Sequence, residues 1–251
     1  MLRIGVTGTD TAVGKTVISC ALVTLLRSRG YSTGVMKPIE TGVTRGEAGS
    51  DHVTLAAAAE VDHDREEICP LIFGDPLAPW VASERSSIEI SVAALDEAFG
   101  KVCEEKDCVV VEGAGGLLVP ITRTLRYDGL FVRWKLDLLI VAADRLGALN
   151  HTLLTVESAQ RAGLRVFGVV LNQLHRALPR ASGAGNATAL REMLPDIPVV
   201  EFPCIEGLHG GKRLHEYGAP LDLQLLRDVA QGTGLVKLLF GSGSSLFDRR
   251  K

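Results

Sequence analysis

Short aliphatic runs alternate with amphipathic segments along this sequence, and that alternation most constrains what the chain can fold into. Strands are predicted at residues 2–7, 33–36, 108–111, 136–142 and 165–171. Most of their residues are β-branched or aliphatic, which is typical of strands buried on both faces of a sheet. Helices are predicted at residues 15–29, 51–59 and 149–162. Strands and helices that alternate at this spacing predict an α/β fold, a parallel sheet with helices on both faces.

The composition is that of a globular protein. Of the 251 residues, 46% are hydrophobic and 23% are charged, so a disordered chain is excluded. We expect one domain over residues 1–228 and a tail over 229–251, whose Gly-Ser-rich sequence favours fraying. Residues 61–107 are less regular, because Pro70, Pro76 and Pro79 break the pattern, and residues 174–187 are predicted to form a polar loop.

Charge and hydropathy limit the partners that the chain is expected to have. The net charge of −3 argues against a protein that coats nucleic acid, because phosphate contacts need a basic excess. The sequence has neither a secretory signal pattern nor a run of about 18 uncharged apolar residues, so we expect no membrane partner. Five scattered cysteines without a CxxC pair favour free thiols in a cytoplasmic protein.

A glycine-containing loop lies between the first predicted strand and the first predicted helix. Residues 8–16 read Gly-Thr-Asp-Thr-Ala-Val-Gly-Lys-Thr. A loop of this kind in this place binds phosphate through its backbone N–H groups and the helix N-terminus. Lys15 is expected to hold the β- and γ-phosphates, and Thr16 to ligate Mg²⁺. The usual pattern has its first glycine at the position of Thr9, whereas this chain has it at Gly8.

Polar side chains follow several predicted strands at the point where each strand ends. They are Lys37, Glu112, Asp144, Arg145 and Asn172. Because ligands of open α/β sheets bind beyond the carboxyl ends of the strands, this set indicates a binding site. Glu112 follows three valines and precedes a glycine-rich turn, so its carboxylate can reach Mg²⁺. Asp51 follows Ser50 at a predicted helix start, where it is either an N-terminal cap or a metal ligand.

These motifs resemble those of the ATP-dependent dethiobiotin synthetases, ligases of biotin biosynthesis in the P-loop NTPase superfamily. The resemblance is carried by residues 6–16, 37–42, 50–51, 111–116, 146–151, 170–172 and 202–203, which follow the order of the family. It implies a single-domain P-loop NTPase-type parallel sheet and a homodimer. The implied reaction uses CO₂, ATP and Mg²⁺ to convert 7,8-diaminononanoate into dethiobiotin, ADP and phosphate.

The resemblance also implies a role for individual residues. Lys15 and Lys37 would be the catalytic residues that stabilise charge on the γ-phosphate and on a substrate carbamate. Thr16, Asp51 and Glu112 would ligate Mg²⁺. ATP would be contacted by Ala12, Val13, Gly14, Lys15, Thr16, Val17, Asp51, Glu112, Gly113, Ala114, Gly115, Asn172, Gln173 and Pro203, with Asn172 and the segment around Pro203 at the adenine.

Three residues are implied to bind the second substrate. Thr41 would contact it near the carbamate. Leu149 and Asn150, at a predicted helix N-terminus, would receive its carboxylate across the dimer interface, which suits the positive end of the helix dipole. Two features have no counterpart in the resemblance: Trp80 stands where the family often has histidine, and residues 123–135 are unusually basic.

Other functions of the same fold class fit less well. Partition and positioning ATPases carry an additional lysine five residues before the lysine that corresponds to Lys15. That position is Asp10 here. Amidotransferase-type cobyrinate synthetases need a glutaminase domain, for which too few residues follow Asn172. A catalytically silent nucleotide-binding regulator would not need the complete set Lys15, Thr16, Lys37, Asp51 and Glu112.

Overall fold

The computed structural model describes residues 1–62, 66–174, 185–205 and 221–241. Its strands are β1 (Leu2–Gly8), β2 (Thr33–Met36), β3 (Ile39–Thr41), β4 (Leu71–Phe73), β5 (Cys108–Gly116), β6 (Asp137–Ala143), β7 (Val166–Asn172) and β8 (Val199–Phe202). Its helices are α1 (Lys15–Ser28), α2 (Asp51–Ala59), α3 (Pro79–Ser86), α4 (Val92–Cys103), α5 (Tyr127–Arg133), α6 (Ala148–Arg161), α7 (Asn186–Met193), α8 (Leu223–Gln231) and α9 (Leu235–Phe240).

Six strands form one sheet in the order β2-β5-β1-β6-β7-β8, and each neighbouring pair is parallel. In this register Val111 lies beside both Gly5 and Met36. The ends of β1, β2 and β5 therefore meet at one edge, which brings together the loop after Gly8, Lys37 and Glu112. Strands β3 and β4 pair separately as a small parallel sheet.

The large sheet is buried on both faces, as its aliphatic strands predict. Along β5, Val110 packs into the cluster that contains α1, α2, α8 and α9. Its neighbours Val109 and Val111 pack into the opposite cluster, which contains α3 to α7. This alternation follows from the period of two along a strand, and removing both faces from water supplies the main driving force for the fold.

Every strand and helix predicted from the sequence is present, with ends that differ by up to a few residues. The largest extension is in β5, which continues past the predicted end at residue 111 to Gly116. Residues 61–107, which showed a less regular pattern, contain β4, α3 and α4. Pro79 does not break structure but begins α3, where its missing N–H has no helical acceptor to lose.

The two last described helices belong to the main core. Leu226 and Ala230 of α8 and Leu235, Leu238 and Leu239 of α9 are buried against the α1 side of the sheet. The predicted end of the domain at residue 228 falls inside α8, and most of 229–241 is helical. Residues 242–251 and most of the predicted polar loop at 174–187 lie outside the described residues.

The five cysteines are all free thiols, and three of them are fully buried. Among the helices of the described ranges, none combines the length and the apolar character needed to cross a bilayer.

Candidate active site

The loop between β1 and α1 is held in a conformation that requires glycine at its end. Gly14 has a φ of +87°, in the left-handed region. A Cβ atom at this position would lie 2.1 Å from Asn172 Nδ2, far inside van der Waals contact. The first N–H groups of α1, which begins at Lys15, have no acceptor within the helix. The loop therefore presents backbone donors and the positive end of a helix dipole at the sheet edge.

Asn172 fixes this loop from the end of β7. Its Nδ2 donates to Val13 O at 3.0 Å, and the side chain is fully buried. Its Oδ1 atom has no hydrogen-bond partner among the described groups. Directly after β7, Gln173 N donates to Phe202 O on the neighbouring strand β8 at 2.9 Å, so Gln173 and the exposed Pro203 lie beside each other. The implied adenine residues are thus close together, and Asn172 also supports the loop, which the sequence did not predict.

Four side chains form a closed polar cluster beside the loop. Lys37 Nζ lies 2.6 Å from Asp51 Oδ2 and 2.8 Å from Glu112 Oε1. The Thr16 hydroxyl lies 2.7 Å from Asp51 Oδ1 and 3.0 Å from Glu112 Oε1. Residues that are far apart in the sequence are brought together because α1, β2, α2 and β5 all begin or end at this edge. The structure therefore joins Lys37 and the three residues predicted to bind the metal into one group.

The charges in this cluster depend on one another. Burial alone would lower the pKa of Lys37, but the carboxylates of Asp51 and Glu112 raise it well above its ordinary value. Burial opposes ionisation of Asp51, yet Lys37 and the hydrogen bond from Thr16 hold its pKa low, at about 2. Burial raises the pKa of Glu112. Lys37 is accordingly a fixed cation, and its nearest partner Asp51 is an anion.

Lys15 is the second cation at the site. Its Nζ donates to Asp10 O at 3.3 Å, so the side chain folds back over the loop. Burial and the nearby Lys37 charge lower the pKa of Lys15 to about 8. A buried ammonium group with one carbonyl acceptor is poorly compensated, and an anionic ligand in the loop would compensate it better.

The cluster also has the ligands that a divalent cation needs. Glu112 Oε2 is buried and has no hydrogen-bond partner among the described groups, and the Asp51 side chain keeps 33% of its surface exposed. With the Thr16 hydroxyl, these carboxylates form a set of hard oxygen donors of the kind that Mg²⁺ prefers. Thr16, Asp51 and Glu112 therefore fit a Mg²⁺ site beside the phosphate loop.

The glycine-rich end of β5 lies beside the phosphate loop. Gly116 lies beside Gly8 in the sheet register, so residues 113–115 border the phosphate loop. A Cβ atom on Gly113 would lie 3.2 Å from the ring of Phe131, and Gly115 has a φ of +68°. Close packing and backbone conformation thus explain why these two positions are glycine.

The three implied substrate residues lie on two separate elements. Thr41 is the last residue of β3 and follows Glu40, whose carboxylate accepts the backbone N–H of Asp51. Leu149 and Asn150 are in the first turn of α6, where Leu149 is half-buried and Asn150 is exposed. An ion pair of 3.1 Å between Asp10 and Arg145 links the turn before α6 to the phosphate loop. The contacts of Thr41, Leu149 and Asn150 with a substrate remain predictions.

The three arginines of the basic stretch at 123–135 form ion pairs with acidic neighbours. Arg123 pairs with Glu84, Arg126 with Asp128 and Arg133 with Asp96. The Arg123 guanidinium also lies 5.6 Å from the centre of the Trp80 ring, and Trp80 Nε1 donates to Glu84. Trp80, Glu84 and Arg123 therefore form a network on the surface.

A parallel sheet with a phosphate loop after β1 defines a nucleotide-binding protein of the P-loop class. A family model described as "AAA domain" matches residues 3–208. The chain is 46% identical over 168 residues to the ATP-dependent dethiobiotin synthetase BioD of Anaeromyxobacter dehalogenans, which covers 67% of this chain and 75% of that protein. It is 35% identical over 195 residues to the protein of that name from Bacillus velezensis, with coverages of 78% and 83%. The chain belongs to the ATP-dependent dethiobiotin synthetase family.

Solved structures that resemble the fold are more distant. They include the septum site-determining protein MinD from Pyrococcus horikoshii and a ParA family ATPase from Chlorobium tepidum. Each is 16% identical, has a TM-score of 0.51 and covers 92% of this chain, with 95% and 97% of the solved chains covered. At this identity the likeness shows the P-loop ATPase fold alone.

Proposed function

We propose that this chain is an ATP- and Mg²⁺-dependent dethiobiotin synthetase that carboxylates 7,8-diaminononanoate with CO₂ and closes the ureido ring. The observation that carries the proposal is the buried Lys37 cation, held by Asp51 and Glu112 beside the phosphate loop. Two carboxylates, a hydroxyl and two lysines at one sheet edge are suited to transfer of a phosphoryl group. Family membership supplies the substrate class.

ATP would bind with its phosphates in the loop. Backbone N–H groups of residues 12–17 would donate to the phosphate oxygens, and Lys15 would exchange its contact with Asp10 O for the β- and γ-phosphates. Residues 113–115 would border the phosphates from β5. Asn172, Gln173 and Pro203 would lie at the adenine, where the buried Asn172 Oδ1 has an unused acceptor position.

Thr16, Asp51 and Glu112 would hold Mg²⁺. When bound, Mg²⁺ neutralises charge on the phosphate oxygens. Lys37, which pairs with the carboxylates of Asp51 and Glu112, would supply a further positive charge to the transferring phosphoryl group. The hydrogen bonds of the cluster hold these side chains in fixed orientations, which is the arrangement that electrostatic stabilisation requires.

The reaction has three bond-forming steps. One substrate amine attacks CO₂ and loses a proton to give a carbamate. A carbamate oxygen attacks the γ-phosphorus and ADP leaves, which gives a carbamic–phosphoric anhydride. The second amine attacks the carbonyl carbon, loses a proton and expels phosphate as the ring closes. Lys15 and Lys37 stabilise the negative charge of the carbamate and the phosphoryl group, so their main work is positioning and charge neutralisation.

The long substrate is proposed to bind across a homodimer. Thr41 would contact the carbamate end, and N–H groups of Leu149 and Asn150 from the other subunit would bind the carboxylate at the start of α6. Leu146 is fully exposed and Leu154 is 58% exposed, so large apolar side chains are available for a subunit interface around α6.

The proposal is tested by the substrate dependence of ADP release. Purified protein is incubated with Mg-ATP, bicarbonate and 7,8-diaminononanoate, and each component is omitted in turn. We expect ADP release to require the diamine and bicarbonate together. ADP release at the same rate without the diamine would point to an ATPase switch and contradict the proposal.

A further inference from the structure

A second buried polar cluster lies directly behind Asp51 and consists of Glu40, His52 and Cys69. All three side chains are buried. Glu40 is the central residue of β3, and its two carboxylate oxygens contact the start of α2. Oε1 accepts the backbone N–H of Asp51 at 2.7 Å, and Oε2 accepts the backbone N–H of His52 at 3.0 Å. Oε2 also lies 2.6 Å from His52 Nδ1.

These contacts make Glu40 the cap of α2. The first N–H groups of a helix have no acceptor within the helix and must be satisfied from elsewhere. Ser50, the residue at the usual capping position, makes no capping hydrogen bond with its side chain. Its hydroxyl lies instead 3.2 Å from His52 Nδ1. The Glu40 carboxylate, which comes from a separate strand, thus accepts these N–H groups in place of Ser50. Its negative charge also interacts favourably with the positive end of the helix dipole.

The cap determines where Asp51 stands. Glu40 holds the backbone of Asp51, while the side chain of Asp51 faces Lys37 and Thr16. A displacement of the first turn of α2 would move both carboxylate oxygens of Asp51 away from Glu112 and Thr16. Since Thr41 follows Glu40 directly, the same strand also leads to the proposed substrate residue.

The three side chains also resemble a metal site, because their ligand atoms lie within 4.8 Å of one another. Their chemistry favours a hydrogen-bonded cluster instead. Both oxygens of Glu40 already accept backbone hydrogen bonds. Burial raises the pKa of the Cys69 thiol far above its ordinary range, and the thiol lies 3.5 Å from the Leu71 carbonyl oxygen that it contacts. The contacts that the carboxylate and the thiol already make with the backbone therefore assign these side chains to a hydrogen-bonded cluster.

We propose that Glu40 is a positioning residue for the divalent cation: by capping α2 it places the Asp51 carboxylate beside Thr16 and Glu112. This inference rests on the proposed role of Asp51 as a Mg²⁺ ligand. Glu40 itself touches neither the cation nor a substrate, and it acts through Asp51.

The test measures binding of Mn²⁺, in the presence of a non-hydrolysable ATP analogue, by electron paramagnetic resonance. The variants are Glu40→Ala, Glu40→Gln, Asp51→Ala and the double variant Glu40→Ala/Asp51→Ala. Glu60→Ala is the matched control, because Glu60 follows the other end of α2 and pairs with Arg27 at the surface. We expect Glu40→Ala to weaken Mn²⁺ binding about tenfold or more, Glu40→Gln to be intermediate because one oxygen acceptor remains, and the control to match the unchanged protein.

The double variant shows whether loss of Glu40 weakens Mn²⁺ binding by displacing Asp51 or by a general effect on folding. If Glu40 acts through Asp51, its removal adds nothing in the Asp51→Ala background. Equal weakening in both backgrounds, or unchanged binding in Glu40→Ala or Glu40→Gln, would overturn the proposal. So would unchanged binding in Asp51→Ala. Glu40→Gln keeps the test decisive if Glu40→Ala does not fold.

Two other results would point to a metal site at the second cluster or to a failure of the proposed function alone. One zinc ion per chain that survives chelation and is lost in Glu40→Gln would identify a metal site at Glu40, His52 and Cys69 and overturn the positioning role. Failure of the unchanged protein to form dethiobiotin, together with the expected Mn²⁺ pattern, would refute the proposed function and leave the positioning role of Glu40 supported.

Discussion

The Lys37 ammonium group lies 2.8 Å from the Glu112 carboxylate, and both side chains are buried. Asp51 completes the arrangement at 2.6 Å from the same nitrogen. Removing such charges from water costs several kcal/mol each, so the close ion pairs are needed to keep Lys37 charged inside the protein. The result is a cation that is already fixed at the end of the phosphate loop before any ligand binds.

Replacing Lys37 by methionine should separate catalysis from nucleotide binding. Its charge acts mainly as the phosphoryl group is transferred, so Lys37→Met should lower kcat by about 10²–10³, the usual range for removing a preorganised electrostatic contact. The Kd for Mg-ATP should change by only about threefold, because uniform binding is supplied by the loop. Steady-state kinetics and calorimetry measure the two effects.

Lys101→Met is the control for this variant, because Lys101 is exposed on α4 and pairs with Glu97. Its kcat should stay at the level of the unchanged protein. A Lys37→Met protein with unchanged kcat would remove Lys37 from the mechanism.

Replacing Glu112 by glutamine should raise the Mg²⁺ concentration that the enzyme needs for turnover. The substitution keeps the size of the side chain but removes one anionic oxygen ligand and leaves a neutral group beside Lys37. We expect the Mg²⁺ concentration for half-maximal turnover to rise about tenfold, since hard cations are held by carboxylate charge. Glu84→Gln, on the exposed surface of α3, is the control. Identical Mg²⁺ dependence in the two variants would exclude Glu112 as a ligand.

Adding a methyl group at Gly14 should block the phosphate loop. Gly14→Ala introduces a Cβ atom 2.1 Å from Asn172 Nδ2 in a residue with a φ of +87°. Gly30→Ala is a matched control, because Gly30 has a φ of +83° with no atom within 4 Å of the added carbon. Both variants carry the backbone cost of roughly 1 kcal/mol or more, but only Gly14→Ala should lose ATP binding, measured by calorimetry. Equal ATP affinities in the two variants would contradict the account of the loop.

Sequence reasoning found the parts of the site that depend on short stretches of chain. The loop of residues 8–16 was recognisable because a strand and an amphipathic helix flank it. Lys37 and Glu112 were predicted to meet because parallel strands end at one edge of a sheet. The same local signals placed the start of α2 at Asp51.

What sequence reasoning missed depends on contacts between distant segments. The cap of α2 comes from Glu40, eleven residues before Asp51, and it has no signature of the Ser-x-x-Glu kind. The helices and strand within 61–107 were hidden because prolines interrupt the pattern, although Pro79 stands at a helix start where proline is favoured. Asn172 was assigned to the nucleotide alone, because its contact with Val13 joins β7 to the loop only in the folded chain.

Removing one N–H group at the start of α6 should weaken binding of the diamine. Leu149→Pro deletes a backbone donor in the first helical turn, a region where proline is tolerated. We expect the KM for 7,8-diaminononanoate to rise about tenfold, the value of a lost charge-assisted hydrogen bond, with the KM for ATP unchanged. Initial-rate kinetics with each substrate varied measure the two constants.

Co-expression of Leu149→Pro and Lys37→Met subunits tests whether the substrate site is shared. In a mixed dimer, one site would combine Lys37 of the first subunit with Leu149 of the second. The mixture is assayed with 7,8-diaminononanoate well below its KM, where the Leu149→Pro protein alone is about tenfold less active. Because half of the dimers are mixed and each has one intact site, activity of about a quarter of the wild-type level supports a homodimer with shared sites. Mixed subunits no more active than the separate variants would refute sharing.

The most direct test of the whole account follows the carbon atom of CO₂ into product. The protein is incubated with ¹³C-bicarbonate, 7,8-diaminononanoate and Mg-ATP, and the products are analysed by mass spectrometry. The account predicts dethiobiotin with one ¹³C atom in the ureido carbonyl and one ADP for each molecule formed. ADP without labelled dethiobiotin, or no turnover of the diamine, would contradict it.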